Sequence, residues 1–227
     1  MSSGRLSNDP GQLPRGPHGL TRGAVIENQR HRLILAVPAA VRDRGFAALT
    51  VEDISARAGV SRRTFYENYR DAEECFLASY RQHAQDLVTV VMAAAAAGGD
   101  WRERARFALL AMLRYLAERP DVAHMAMIEA QAAGPAALAE RDQTAALLSS
   151  MIGEEALAVA PEAPPRLLFE VIAGAIVQLI YTRVLACESE RLEELLPTIM
   201  YMVLVAMHGP SSAAAQAGLA SPESVQG

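Results

Sequence analysis

From Thr21 to about Arg44, apolar residues fall at Val25, Leu33, Val37 and Val41. Their four-residue recurrence predicts a helix with one buried face. Pro38 stands inside this segment and is expected to kink it, because proline removes a backbone donor. Gly45 supplies the stop. Thr50-Val51-Glu52-Asp53 then opens a short helix, to about Arg57, with Thr50 as N-cap and Asp53 closing a capping box three residues on. Ala58-Gly59-Val60 reads as a tight turn in which Gly59 takes the left-handed conformation. Ser61 caps the next helix, Arg62 to about Tyr69. Asp71, Glu73 and Glu74 place acids at the start of a long helix to about Ala97, where they complement its dipole. Helices at about 101–118, 121–133, 135–151, 164–187 and 191–207 follow. They are separated by Pro120, Gly134-Pro135, Pro161, Pro164-Pro165 and Gly209-Pro210. No stretch sustains the period-two alternation of a strand and no fixed-period repeat appears, so the expected fold is all-α.

The pattern divides the chain into a flexible tail (1–20), a three-helix head (21–70), a helical body (71–208) and a disordered tail (209–227). Charge supports the division. The chain carries a net −5, yet residues 1–70 hold eleven Arg against six acids, and the remainder holds ten Arg against twenty acids. A basic head on an acidic body points the head at a polyanion; chance clustering of surface charge gives the same numbers. All 21 basic residues are Arg, which fits a GC-rich coding sequence. Cys75 and Cys187 are far apart and match neither a disulfide framework nor a metal pattern. Residues 1–20 hold three prolines, four glycines and no apolar run, unlike a signal peptide. The most apolar stretches, about 171–186 and 195–207, contain Gln178 and Arg183 in the first and Pro197 in the second. Neither offers the ~20 apolar residues of a membrane span. A cytoplasmic, nucleoid-associated protein is expected.

Two short helices joined by a glycine turn form a helix-turn-helix unit. Ile54, Ala58, Val60 and Phe65 supply a small core that fixes their crossing, and Thr50 and Ser61 fix their starts. The second helix then enters a major groove by its N-terminal end. That end offers Arg62 and Arg63, whose guanidinium groups match guanine, and Thr64, whose methyl suits thymine. Tyr66, Asn68, Tyr69 and Arg70 are candidates for phosphate contacts. A plain helical hairpin with exposed arginines remains the alternative.

The run from Gly45-Phe46 through Thr50-Val51-Glu52-Asp53-Ile54, Ala58-Gly59-Val60-Ser61, Thr64-Phe65-Tyr66, Tyr69, Asp71 and Glu73-Glu74-Cys75-Phe76 closely resembles the TetR family of bacterial repressors, over about residues 24–80. Two positions depart from the family pattern. Ala72 stands where a phosphate-contacting Lys is usual, and Pro38 is unusual in the first helix. The resemblance implies a homodimer whose two recognition helices, ~34 Å apart, address a palindromic DNA operator. Arg15 or Arg22 in the tail is a candidate for a minor-groove contact, against an idle tail.

The resemblance also implies that the last two helices form a four-helix dimer interface. Helix 164–187 is apolar on two stripes, Leu168-Ile172-Ile176-Ile180-Val184 and Leu167-Val171-Ala175-Leu179. A helix apolar on two sides is buried on two sides. The expected interface residues are Val171, Gly174, Ala175, Leu195, Ile199, Met202 and Val203; a single monomeric core is the alternative. An effector pocket in the body is implied as well, with candidates Phe107, Tyr115, His124, Met125, Ile128, Glu129, Phe169, Ile172 and Ile176, for an apolar small molecule with a polar group. Ordinary core packing explains the same residues. No GxSxG, Walker, HExxH or GxGxxG motif occurs, and no metal-spaced cluster, so neither enzyme, cofactor nor metal is expected. The function implied is a TetR-like regulator, a repressor released by its effector. Its rivals are a helical interaction protein without DNA binding, and an activator or global DNA-binding protein.

Overall fold

The computed structural model describes residues 22–159 and 166–208, and among them every regular element is helical. Helix α1 (Arg22–Arg44) is followed by a 3-10 turn (Phe46–Ala48), α2 (Val51–Ala58) and α3 (Arg62–Tyr66). Then come α4 (Ala72–Ala95), α5 (Trp101–Ala117), α6 (Pro120–His124), a π turn (Met125–Glu129), α7 (Ala130–Ala132) and α8 (Pro135–Val159). After the undescribed 160–165 follow α9 (Arg166–Leu185), a 3-10 segment (Ser189–Leu195) and α10 (Leu196–His208). The expected tails lie outside the described residues, as does Arg15. The expected helix at 191–207 divides in two, because Pro197 is accepted only in the first turn of an α-helix.

Helix α1 runs unbroken through Pro38. Proline has no N–H for the carbonyl four residues earlier, that of Ile34. A side chain from another helix supplies the missing donor: the fully buried Ser79 hydroxyl of α4 donates to the Ile34 carbonyl at 2.8 Å. The helix therefore keeps its hydrogen-bond balance at the proline and binds α4 by the same contact.

Two apolar clusters form the interior. The first gathers Leu33, Val37, Val41, Ile54, Phe65 and Phe76, all with no exposed surface, from α1 to α4. It continues past residue 70 to Tyr80 and takes in Met125, Ala130 and Ala137. The second joins α5, α9, the 3-10 segment and α10 through Leu113, Ile180, Leu192, Ile199 and Leu204. Helix α4 spans the two. Head and body are also tied by polar contacts: Arg42 of α1 meets Asp121 of α6 at 3.1 Å, and the Phe46 N–H donates to the Glu129 carboxylate at 2.7 Å. Gly45, at φ +73°, turns the chain so that this N–H points at Glu129.

Candidate nucleic-acid interface and ligand chamber

The helix-turn-helix forms from local instructions. The Asp53 N–H donates to the Thr50 hydroxyl oxygen and the Thr50 N–H donates to the Asp53 carboxylate, each at 3.1 Å. The hydroxyl bond from Thr50, first among its influences, holds the Asp53 carboxyl below the ordinary range. Gly59 closes α2 at φ 62° and ψ 36°. A Cβ there would come within 2.6 Å of Arg32 Nη2. Arg32 of α1 donates to the carbonyls of Ala58 and Gly59, the latter at 2.9 Å. A cation thus sits on the exposed carbonyls at the α2 terminus. Arg32 was not among the expected site residues; its signal in sequence is only an Arg on the side of α1 that faces the turn.

Ser61 accepts the Thr64 N–H at 3.0 Å and starts α3. Phe65 is fully buried and anchors this short helix, while Arg62, Arg63 and Tyr66 stand exposed. Arg62 makes no ion pair or hydrogen bond among the described residues. Arg63 is 90% exposed and pairs with Glu67 at 3.1 Å; Arg70 is 83% exposed and pairs with Glu74 at the same distance. Both pairs are surface contacts of small worth, readily exchanged for a phosphate. The helix ends at Tyr66, and a turn carries the chain through Asn68, whose side-chain amide donates to the Thr64 carbonyl at 2.8 Å. Tyr69 corrects the expectation of a phosphate contact. It is 4% exposed, its hydroxyl is buried, and its ring packs beside Phe65 under the Arg30 guanidinium.

In the body, the expected pocket residues separate into three places. Tyr115, Met125 and Ile176 line a cavity of about 80 Å³ between α4, α5, α8 and α9. Phe169, Ile172 and Ile176 line a second of about 70 Å³. The two share the walls Met112, Ala145, Leu148, Ile176 and Val177, so they lie side by side, and the pair is termed the chamber. Phe107 is corrected out of it: it lines an outer groove between α4 and α5 with Val90 and Arg114. His124, Ile128 and Glu129 are corrected as well. The π turn carries Glu129 toward the head, where one carboxylate oxygen accepts Phe46 N–H and the other lies 3.1 Å from His124 Nε2. Ile128 packs against the body core. The missed wall residue is His83, a buried imidazole on α4. A lone histidine in a helix gives no sequence signal.

The expected dimer residues also divide. Leu195, Ile199 and Val203 are buried within the protomer, which corrects their assignment to an intermolecular surface. Val171 is 60% exposed, and Leu167 and Leu185 are similarly bare. Gly174 is exposed, and Ala175 and Met202 are half-buried. By length and composition alone the segment Leu167–Leu185, with mean hydropathy 1.7, is long and apolar enough to cross a membrane, a property that core helices of helical proteins share. Among the described residues no group of three metal-ligating side chains occurs.

A capped two-helix hairpin with an exposed cationic end, mounted on a helical body with an apolar chamber, defines a class of architecture: a helix-turn-helix head on a separate helical body. Residues 39–79 match the family model of bacterial regulatory proteins, tetR family. The HTH-type transcriptional activator FasR of Mycolicibacterium smegmatis is 31% identical over 90 residues, 40% of this chain and 41% of FasR. The match thus spans about two-fifths of that relative. The fatty acid degradation regulator FadR from Bacillus halodurans superposes with a TM-score of 0.69 over 87% of this chain and 98% of its own, at 15% identity. The regulator FadR from Bacillus subtilis, solved in complex with stearoyl-CoA, gives 0.68 over 79% and 98%, at 16% identity. These likenesses establish the fold: an N-terminal helix-turn-helix domain and a C-terminal helical domain.

Proposed function

We propose that this protein is a TetR-family regulator that binds a palindromic DNA operator as a homodimer and represses transcription until a small molecule enters the body chamber. The observation that carries the reading is the outward face of α3. Among the described residues Arg62 has no partner, Arg63 is 90% exposed, and Tyr66 stands beside them on a helix whose cap and core leave it little freedom. Arg62, Arg63 and Thr64 read bases. Tyr66 and Arg70 hold phosphates, while Thr50, Ser61 and Asn68 position the unit. The exposed apolar side of α9, around Leu167, Val171 and Gly174, is the surface a second copy covers, with Ala175 and Met202 at its margin. Release by a ligand follows from linkage: a molecule that binds the chamber better in the DNA-free geometry weakens DNA binding by the same factor. The stearoyl-CoA bound to Bacillus subtilis FadR supports control by a ligand.

The test is a mobility-shift titration on operator and random duplexes. Arg62→Ala is expected to cost about 1–3 kcal/mol on the operator and to relax its specificity. Equal binding by native and R62A protein on both duplexes sinks the DNA reading. A second reading, activation, is favoured by the name of the Mycolicibacterium relative. Transcription from the operator-bearing promoter rises on deletion of the gene if the protein represses and falls if it activates.

A further inference from the structure

The inner cavity, of about 80 Å³, is walled by apolar side chains and five polar ones: Tyr80, His83, Tyr115, Arg141 and Thr144. Three of the five are engaged with the protein. The Thr144 hydroxyl donates to the Glu140 carbonyl at 2.8 Å. Arg141 pairs with Asp142 at 3.0 Å. The Tyr115 hydroxyl lies 3.3 Å from the His83 carbonyl and 3.4 Å from His83 Nδ1. A carbonyl only accepts, so the hydroxyl donates to it, and the hydroxyl oxygen accepts the proton on Nδ1. Burial holds the imidazole below its usual range, so the ring is neutral and Nε2 carries no proton. Nε2 is therefore an acceptor without a hydrogen-bond partner, on a side chain only 8% exposed. A buried acceptor left unmet costs free energy. Tyr80 stands three residues earlier, on the same side of α4. Its hydroxyl makes no hydrogen bond among the described residues, and burial pushes it up, which keeps it a neutral donor. In the outer cavity the polar wall residue is Ser149, whose hydroxyl donates to the Phe169 carbonyl at 3.1 Å.

We propose that the chamber binds a compact uncharged phenol, its O–H donating to His83 Nε2, its oxygen accepting from Tyr80 and its ring lying among Met112, Met125 and Ile176. The inference rests on the ligand-responsive reading above and deepens it. Size sets the first limit. An apolar cavity of about 150 Å³ admits benzene. The inner cavity and its neighbour of about 70 Å³ together reach that size, room for one ring. A stearoyl chain, as in the ligand of the Bacillus subtilis neighbour, outgrows them. Chemistry sets the second limit. A hydrocarbon leaves Nε2 unmet. A carboxylate turns lone pairs toward a lone pair and has no proton to give. A phenol, which like tyrosine ionises only near about pH 10, stays neutral and both donates and accepts. An aromatic ring is favoured over an aliphatic one by the sulfurs of Met112, Met125 and Met127 and by the Tyr115 ring. The same unbranched methionines repack readily, which lets the guest reach Nε2.

The experiment is calorimetric titration of the full chain at neutral pH with phenol, cyclohexanol, toluene and benzoate. Phenol is expected to bind more tightly than cyclohexanol and at least about tenfold more tightly than benzoate, the scale of one buried polar group left unpaired. In His83→Leu the ratio of phenol to toluene affinity is expected to fall about tenfold, with toluene binding kept. Thermal unfolding confirms that the variant is folded. Nitrogen NMR of histidine-labelled native protein gives a second readout that needs no variant. His83 is expected to carry its proton on Nδ1, and its bare Nε2 signal to move upfield with phenol and not with toluene, as accepting a hydrogen bond requires. Absence of phenol binding, cyclohexanol or benzoate as tight as phenol, an unchanged ratio in folded H83L, or a proton on Nε2 would each overturn the proposal. A native protein that shifts its operator but ignores phenol refutes this inference alone. One that binds phenol but no DNA refutes the function reading alone.

Discussion

Ser79 does more for this fold than its size suggests. Its hydroxyl is the donor that Pro38 cannot be, and it makes this bond between two buried residues. Removing it leaves the Ile34 carbonyl buried and unsatisfied, a penalty larger than the net worth of an ordinary hydrogen bond. Ser79→Ala is therefore expected to destabilise the protein by about 1–3 kcal/mol in urea unfolding. Combining it with Pro38→Ala, which restores the N–H, should cost less than the two changes separately, as expected for coupled groups. Independent, additive costs would show that Ser79 is not serving the proline. His83 presents the opposite case at this scale. Burial, the largest influence, holds its imidazole below the usual range, while Asp86 pulls it up and Arg119 and His31 push it further down. It is thus a neutral hydrogen-bonding group rather than a cation.

At the scale of elements, α2 and α3 are too short to be stable alone. They owe their definition to ends: the Thr50–Asp53 box, the Ser61 cap, and Arg32 on the carbonyls of the turn. Thr50→Val keeps the shape and removes the cap. It is expected to cost about 1 kcal/mol, read as a lower urea midpoint with an unchanged slope. A midpoint within error of the native protein's would mean that tertiary packing alone positions α2. The π turn Met125–Glu129 has a different part. Met125 and Met127 line the chamber, and Glu129 at its end accepts the Phe46 N–H just before α2. Wide turns of this kind occur frequently at functional sites. The same five residues touch the chamber on one side and the head on the other, so a change in chamber filling has a short mechanical route to the recognition helix.

For the whole molecule, the governing feature is the mismatch between how apolar α9 is and how little of it one protomer covers. A window of that helix with mean hydropathy 1.7 is only 22% buried. Its exposed side carries Leu167, Val171, Gly174 and Leu185 interleaved with Glu170, Gln178 and Thr182. Exposed apolar side chains in such number mark an interaction surface, and the two-fold self-association proposed above would cover them with the same side of a second chain. Val171→Glu puts a charge at the centre of the bare stripe, away from the protomer's own core. It is expected to shift the protein from dimer to monomer in sedimentation velocity and to weaken operator binding sharply, since each half-site then binds alone. Retention of the native mass would locate the interface elsewhere.

Much of the head was legible in the sequence because its instructions are local. A Thr followed three residues later by Asp, a Gly at a left-handed turn and a Ser before an amphipathic turn each act over a few residues and have few alternative meanings. The outward reach of Arg62 and Arg63 follows from Phe65 alone, since one buried side chain on so short a helix fixes which way the others face. The all-helical architecture was likewise written in the spacing of apolar residues and breakers. Tertiary structure decided the rest. In α9 apolar residues occupy two sides and in α10 nearly every position, and a helix apolar on more than one side carries no single directional mark. Only the placement of neighbouring helices could send Leu195, Ile199 and Val203 inward and leave Val171 bare. The same holds for Tyr69, whose polar end looked available until the fold buried it, and for His83 and Arg141. Those two lie 58 positions apart on different helices and line the same cavity only because the helices of the bundle pack together.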